Sequence, residues 1–155
     1  MAKWTVGKGI ENYIKNLEDL EFGADEMAKR AVYEAAKIVT DAIRVNIQAL
    51  QVGPPREGKV TQAQKAGLLE GLGIAGFRKD GSFINVKVGE DGYNSETSRK
   101  HPKGQANAMI ARSLESGSSF APKRPFIGPA VRRTKDAAEK TMAEKLDEEI
   151  KKVMK

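Results

Sequence analysis

Between Ala24 and Leu50 two apolar stripes run side by side. Met27, Ala31, Ala35, Ile38, Ala42 and Val45 recur at three- and four-residue steps, and Ala28, Val32, Ala36, Val39 and Ile43 form a second row beside them. That period predicts one helix, roughly 40 Å long at ~1.5 Å per residue. So wide an apolar face contacts more than one layer, or the domain core plus a neighbouring subunit. The many alanines permit close approach of whatever packs there.

The flanking segments are weaker in pattern. Ile10, Tyr13, Ile14 and Leu17 predict a shorter amphipathic helix from about Lys8 to Leu20, ended by Gly23. Trp4 either staples that helix to the body or anchors an interface. Residues 51–67 read as a long flexible loop punctuated by Gly53, Pro54, Pro55 and Gly58. Within it Thr61 is placed to cap a short helix from Gln62 to about Leu72, with Leu68, Leu69 and Leu72 facing the core. Ile74–Arg78 and Phe83–Val88 read as strands of a hairpin, with the Asp80-Gly81 turn signal between them. Ile84, Val86 and Val88 alternate with Phe83, Asn85 and Lys87, so one sheet face is buried and one is wet. Residues 89–107 form a second long flexible loop. Ala108–Glu115 reads as a third strand or a short helix.

The final helix is predicted over 130–153, with Pro129 supplying the proline favoured in a first helical turn. Its apolar stripe is Val131, Ala138, Met142, Leu146, Ile150 and Val153. Asp136–Lys140 and Glu148–Lys152 are supporting pairs on its outer face. The order of elements predicts a single α+β domain over 1–155: a small antiparallel β-sheet packed against a long N-terminal helix and a long C-terminal helix.

Composition narrows the chemistry. A chain of 155 residues can bury a sufficient core without staples. Cysteine is absent, which excludes disulfides, thiolate zinc sites and cysteine nucleophiles. The one histidine, His101, sits in Arg-Lys-His-Pro-Lys, where neighbouring cations discourage a bound metal. Asp80, Glu90, Asp91 and Glu96 lack the spacing of a calcium loop. Gly67, Gly71, Gly73 and Gly76 fit neither a dinucleotide fingerprint nor a P-loop. No catalytic, cofactor-binding or metal site is expected. No signal peptide or membrane span is apparent, so a soluble protein made in a cytoplasm is expected.

The net charge of +6 is unevenly spread. Residues 99–135 carry nine basic side chains (Arg99, Lys100, Lys103, Arg112, Lys123, Arg124, Arg132, Arg133 and Lys135) against the single acid Glu115. Such an excess suits a polyanion or an acidic protein surface, or is a solvated basic region. No aromatics interleave with it to stack on bases, which argues against specific single-strand recognition.

The same region contains the most unusual segment, Leu114–Ala130, L-E-S-G-S-S-F-A-P-K-R-P-F-I-G-P-A. Three prolines stiffen it around Phe126. The ring either plugs its own domain's core or fills a pocket on a partner. In the second case Phe126→Ala would weaken assembly and leave the monomer folded. Glu115 is a general base or metal ligand only if a second group stands by it. The alternatives are a salt bridge to Arg112 or a hydrogen bond to a turn amide beside Gly117.

Glu115-Ser116-Gly117-Ser118, a spacer, and Pro125-Phe126-Ile127-Gly128-Pro129-Ala130 resemble the closing signature of the neck and tail-completion proteins of tailed bacteriophages: E-x-G-[ST], a variable spacer, and P-F-[apolar]-x-P-A before one long helix. The preceding elements fit in order and are generic, so the specificity of the resemblance rests on residues 114–130. The chain departs from the family in lacking a compact P-x-x-T-G-x-L segment, in Ser118 where threonine is common, and in the length of loop 89–107. The resemblance implies a structural virion component of a phage or prophage, acting without catalysis or cofactor at the head–tail joint. It implies assembly into a ring, contacts with head-closure, tail-terminator or tail-tube proteins, and non-specific DNA in the channel. Glu115, Gly117, Pro125, Phe126 and Pro129 are then candidate interface residues. Arg99, Lys100, Lys103, Lys123, Arg124, Arg132 and Arg133 are candidates for the DNA lumen or an acidic partner. The other reading of the basic region is a small nucleic-acid-binding protein with non-specific DNA contact.

Overall fold

A computed structural model describes residues 8–81 and 83–154, without the side chains of residues 8–10 and 13. Trp4 lies outside the described residues, as do the side chains of Ile10 and Tyr13. The elements are α1 (Lys8–Gln48), a 3-10 turn (Pro55–Glu57), α2 (Gln62–Gly71), β1 (Leu72–Ile74), β2 (Arg78–Asp80), β3 (Phe83–Asn85), β4 (Val88–Glu90), α3 (Asn107–Ser116) and α4 (Ile127–Val153). The chain is α+β, and α1 packs on α4.

The two expected N-terminal helices are one. α1 runs unbroken through Gly23, where an added Cβ would meet only the end of the Met27 side chain. An isolated glycine costs a helix about 1 kcal/mol, too little to stop it without a cap or a competing turn. At ~1.5 Å per residue α1 is about 60 Å long. Both predicted stripes contribute to its packed side, with Met27, Ala31, Ala35, Ala36, Ala42 and Ile43 buried. Ile47 joins them, while Val45 faces solvent.

α4 lies antiparallel to α1. Asn46 Nδ2 donates to the Phe126 carbonyl at 2.9 Å at one end, and Arg30 pairs with Glu149 at 2.8 Å towards the other. The face α4 turns inward is only part of its predicted apolar stripe, of which Ala138 is buried and Met142 and Val153 are half-buried. Ala130, Ala138 and Glu149 are buried, whereas Val131, Leu146 and Ile150 are exposed. α1 offers a face rich in alanine, and small residues let the backbones approach. Glu149 is tolerated there because Arg30, Lys145 and Lys152 surround it. The hydrogen bond from Arg30 holds its carboxyl below the usual range. Glu148–Lys152 forms as expected, but Lys140 turns to Glu144 and not to Asp136.

The main core sits at the C-terminal end of α1. Ala42, Ile43 and Ile47 meet Val60, Leu68, Leu72, Ile110, Ala111, Leu114, Phe126 and Ala130. α2 begins where expected, inside the stretch read as loop. The Thr61 hydroxyl accepts from Gln64 N–H while the Gln64 side chain accepts from Thr61 N–H, a reciprocal capping box. Leu68 and Leu72 are buried and Leu69 is half-buried.

The hairpin is also as expected, though its strands are broken into two ladders. β2 pairs with β3 around Gly81, Lys79 and Asp80 belonging to the strand and not to the turn. β1 pairs with β4, Leu72 opposite Glu90. Ile84, Val86 and Val88 are half-buried and Phe83, Asn85 and Lys87 exposed, so the alternation holds with only partial cover. Of the two readings of Ala108–Glu115, strand or short helix, the structure has the helix, α3, with Ile110, Ala111 and Leu114 on its buried side. The blurred alternation at Met109 and Ala111 was the helical period showing through.

Candidate functional site

The connector between α3 and α4 is built by its own residues. α3 ends at Gly117, which has φ +73°, a conformation that favours glycine; an added Cβ would also lie 3.2 Å from Lys123 N. The chain then doubles back, and Arg124 N–H donates to Leu114 C=O at 2.8 Å. α4 starts at Ile127, two residues before Pro129, so the proline lies inside the first turn and not at its opening.

A helix leaves its first N–H groups without partners. Here the Glu115 carboxylate accepts from Phe126 N–H at 2.6 Å, from Ile127 N–H, and from Gly128 N–H at 3.2 Å. Pro129 has no N–H to satisfy. Carboxylate and proline together complete the N-terminus of α4, and the negative charge sits at the positive end of the helix dipole. Glu115 thus serves as a cap, and among the described residues it forms no salt bridge to Arg112. It accepts from turn amides, but those of α4 and not those beside Gly117.

Phe126 is 1% exposed and lies in the main core. This corrects its reading as an interface anchor: the ring fills its own domain. Glu115 and Gly117 are likewise occupied within the chain. Of the five candidate interface residues Pro125 is exposed and Pro129 half-buried. Both line a groove of about 370 Å³ with Asn46, Ala49, Leu50, Lys123, Arg124 and Phe126.

The seven candidate basic contacts are all exposed, and none forms an ion pair among the described residues. Lys123 and Arg124 sit together on the connector. Arg132 and Arg133 follow on the first turns of α4, at the same end of the molecule. Arg99, Lys100 and Lys103 lie in the loop between β4 and α3. That loop is tied down by Asn94, whose Oδ1 accepts from Glu96 and Gln105 N–H, and by a bridge between Tyr93 and Ala106.

A polar cluster not anticipated from the sequence lies against α2. Gly67 and Gly71, one turn apart, admit Asn107, Asn94 and the Asp91 backbone; a Cβ on Gly71 would stand 2.2 Å from Asp91 O. Asn107 Nδ2 donates to that carbonyl at 2.8 Å. Both Glu90 carboxyl oxygens, Asn94 Nδ2 and Asn107 Oδ1 are sealed from solvent without a hydrogen-bond partner. The four-residue spacing of the glycines was the available signal.

Burial raises the Glu90 pKa to about 7. A carboxyl raised on folding binds its proton more tightly in the native state. Its stabilising contribution is therefore full below the unfolded value near 4.3 and is lost as pH rises through about 7. Glu90→Gln should match the parent at pH 4.5 and exceed its stability by about 1–2 kcal/mol above pH 8, after discounting for partial solvent access. Denaturant midpoints at the two pH values check this. Equal curves at both would show that Glu90 does not titrate in this way.

Among the described residues no group of histidines, aspartates and glutamates is arranged to hold a metal ion. No described helix is long and apolar enough to cross a membrane. The chain matches no protein-family model, no curated protein and no solved structure.

Proposed function

We propose that this chain is a structural virion protein of a tailed phage or prophage, acting in head–tail joining or tail completion by ring assembly. The observation that carries this reading is the connector. The residues of the signature, Glu115, Gly117, Phe126 and Pro129, act on one another to fix α3 against the start of α4. A motif built this way sets a local shape. The shape it fixes presents exposed cations and an apolar groove at one end of a long helical pair, which suits docking to a neighbouring subunit or an acidic ring. The virion location, ring and neck partners come from the resemblance.

Deletion of the gene from a phage that carries it tests the reading. Filled heads and completed tails should accumulate unjoined, and the protein should be present in purified parental particles. Infectious particles at parental yield from the deletion would refute it.

A second reading, non-specific DNA binding by the free protein, is favoured only by the unpaired cations. Such binding would be salt-sensitive and independent of sequence.

A further inference from the structure

Among the described residues the first four turns or so of α1 bury no side chain and form no side-chain hydrogen bond or ion pair with the rest of the fold; the first such tie is Asp25 to Lys79. Beyond the Arg30–Glu149 pair about one turn of α4 remains, against about six of α1. On this arm Ile14 is 46% and Leu17 43% exposed. They continue the spacing of the buried stripe Met27, Ala31 and Ala35. A projecting helix of this length is marginal in water unless its apolar side is covered. The arm is also acidic. Residues 8–26 hold six acids against Lys8 and Lys15, and Glu11, Glu18, Asp19 and Glu21 have no ion-pair partner among the described residues.

The complement lies at the opposite end of the same molecule. The groove beneath Pro125 and Pro129 has Ala49 and Leu50 in its wall and Lys123 and Arg124 on its rim, both without ion-pair partners among the described residues. One end is apolar with unpaired anions, and the other is apolar with unpaired cations. We infer that the acidic N-terminal arm of one copy docks in the basic connector groove of the next, a head-to-tail contact between copies of this chain. Such a contact uses two different surfaces, and it closes into a ring where the rotation permits. The inference rests on the assembly reading and gives it a specific interface.

The absence of native cysteine permits a clean test. Leu17 and Ala49 are about 48 Å apart along one helix, so cysteines at these positions cannot pair within a chain. Leu17→Cys with Ala49→Cys in one chain should give a ladder of disulfide-linked oligomers under mild oxidation, and each single variant none. Glu18→Lys with Glu21→Lys, or Lys123→Glu with Arg124→Glu, should weaken self-association in sedimentation at least about tenfold. All four together should restore it.

Oligomers that form without this cross-link, or that ignore both charge reversals, would overturn the interface and leave ring assembly standing. Cross-linking by Leu17→Cys alone would mean a symmetric contact and would overturn it too. A chain that stays monomeric throughout would also overturn it; the deletion phenotype then decides separately whether the assembly reading falls. Duplex binding abolished by Lys123→Glu with Arg124→Glu, with no ladder formed, would assign the groove to nucleic acid and reject the proposal.

Discussion

Phe126→Ala should destabilise the isolated chain by about 3–5 kcal/mol, the cost of emptying a buried phenylalanine site. The ring is among the largest fully buried side chains, and it joins α1, α3 and α4 in one cluster. Its backbone is fixed too: the carbonyl accepts from Asn46 and the N–H donates to Glu115. The walls therefore cannot collapse into the cavity without breaking those bonds. In a thermal melt the midpoint should fall by ~10 °C. Phe126→Leu, which refills most of the space, should lose about 1–2 kcal/mol. This reverses the expectation attached to a partner-facing ring, under which the alanine variant would keep a stable monomer. A monomer of parental stability carrying Phe126→Ala would return the ring to an interface.

Glu115→Ala should cost about 2–4 kcal/mol, for a different reason. The substitution creates no large cavity. It leaves three backbone donors at the half-buried start of α4 without an acceptor, and Pro129 leaves the following position unable to help. Hydrogen bonds to a charged acceptor contribute about 1.5–3 kcal/mol each in isolation, and neighbouring bonds to one carboxylate are not additive. The loss of charge at the helix N-terminus adds to this. Glu115→Gln keeps one carbonyl acceptor and should lose about half as much. Urea denaturation separates the three chains. Equal stability of the parent and Glu115→Ala would show that water replaces the carboxylate at no cost.

The two sets of sequence signals differ in how local they are. The Thr61 cap, the Asp-Gly hairpin and the doubled stripe of α1 are set by residues a few positions apart, and each appears at or within a few residues of where the pattern placed it. Gly23 misled because a single glycine is a weak breaker inside a helix that meets no competing turn or cap there. The inward face of α4 was legible at Ala138 but not at Leu146 and Ile150, because α1 presents alanines. Against them a stripe of Ala130, Ala138 and a compensated Glu149 fits better than Leu146 or Ile150, and hydropathy alone cannot register that. Ala108–Glu115 is short enough for strand and helix periods to coincide in part.

The connector was visible as a unit, but its direction was not. Nothing in the order of residues says that Glu115 reaches forward eleven positions to the amides of α4, or that Asn46 reaches eighty to Phe126. Those contacts follow from the doubling back at Gly117, a tertiary fact. The cluster of Glu90, Asn94 and Asn107 against Gly67 and Gly71 was hidden for the same reason. The charge asymmetry was half legible: the basic end stood out, whereas the acidic arm was averaged away over the first fifty residues.

That the connector is an internal joint, completed within one chain, is tested most directly by amide hydrogen exchange on the dilute monomer. The amides of Phe126, Ile127 and Gly128 should exchange slowly in the free chain, near the rate set by global unfolding, and should lose that protection in Glu115→Ala. Fast exchange of these three amides in the monomer, slowing only on association, would contradict the account and place the joint between subunits.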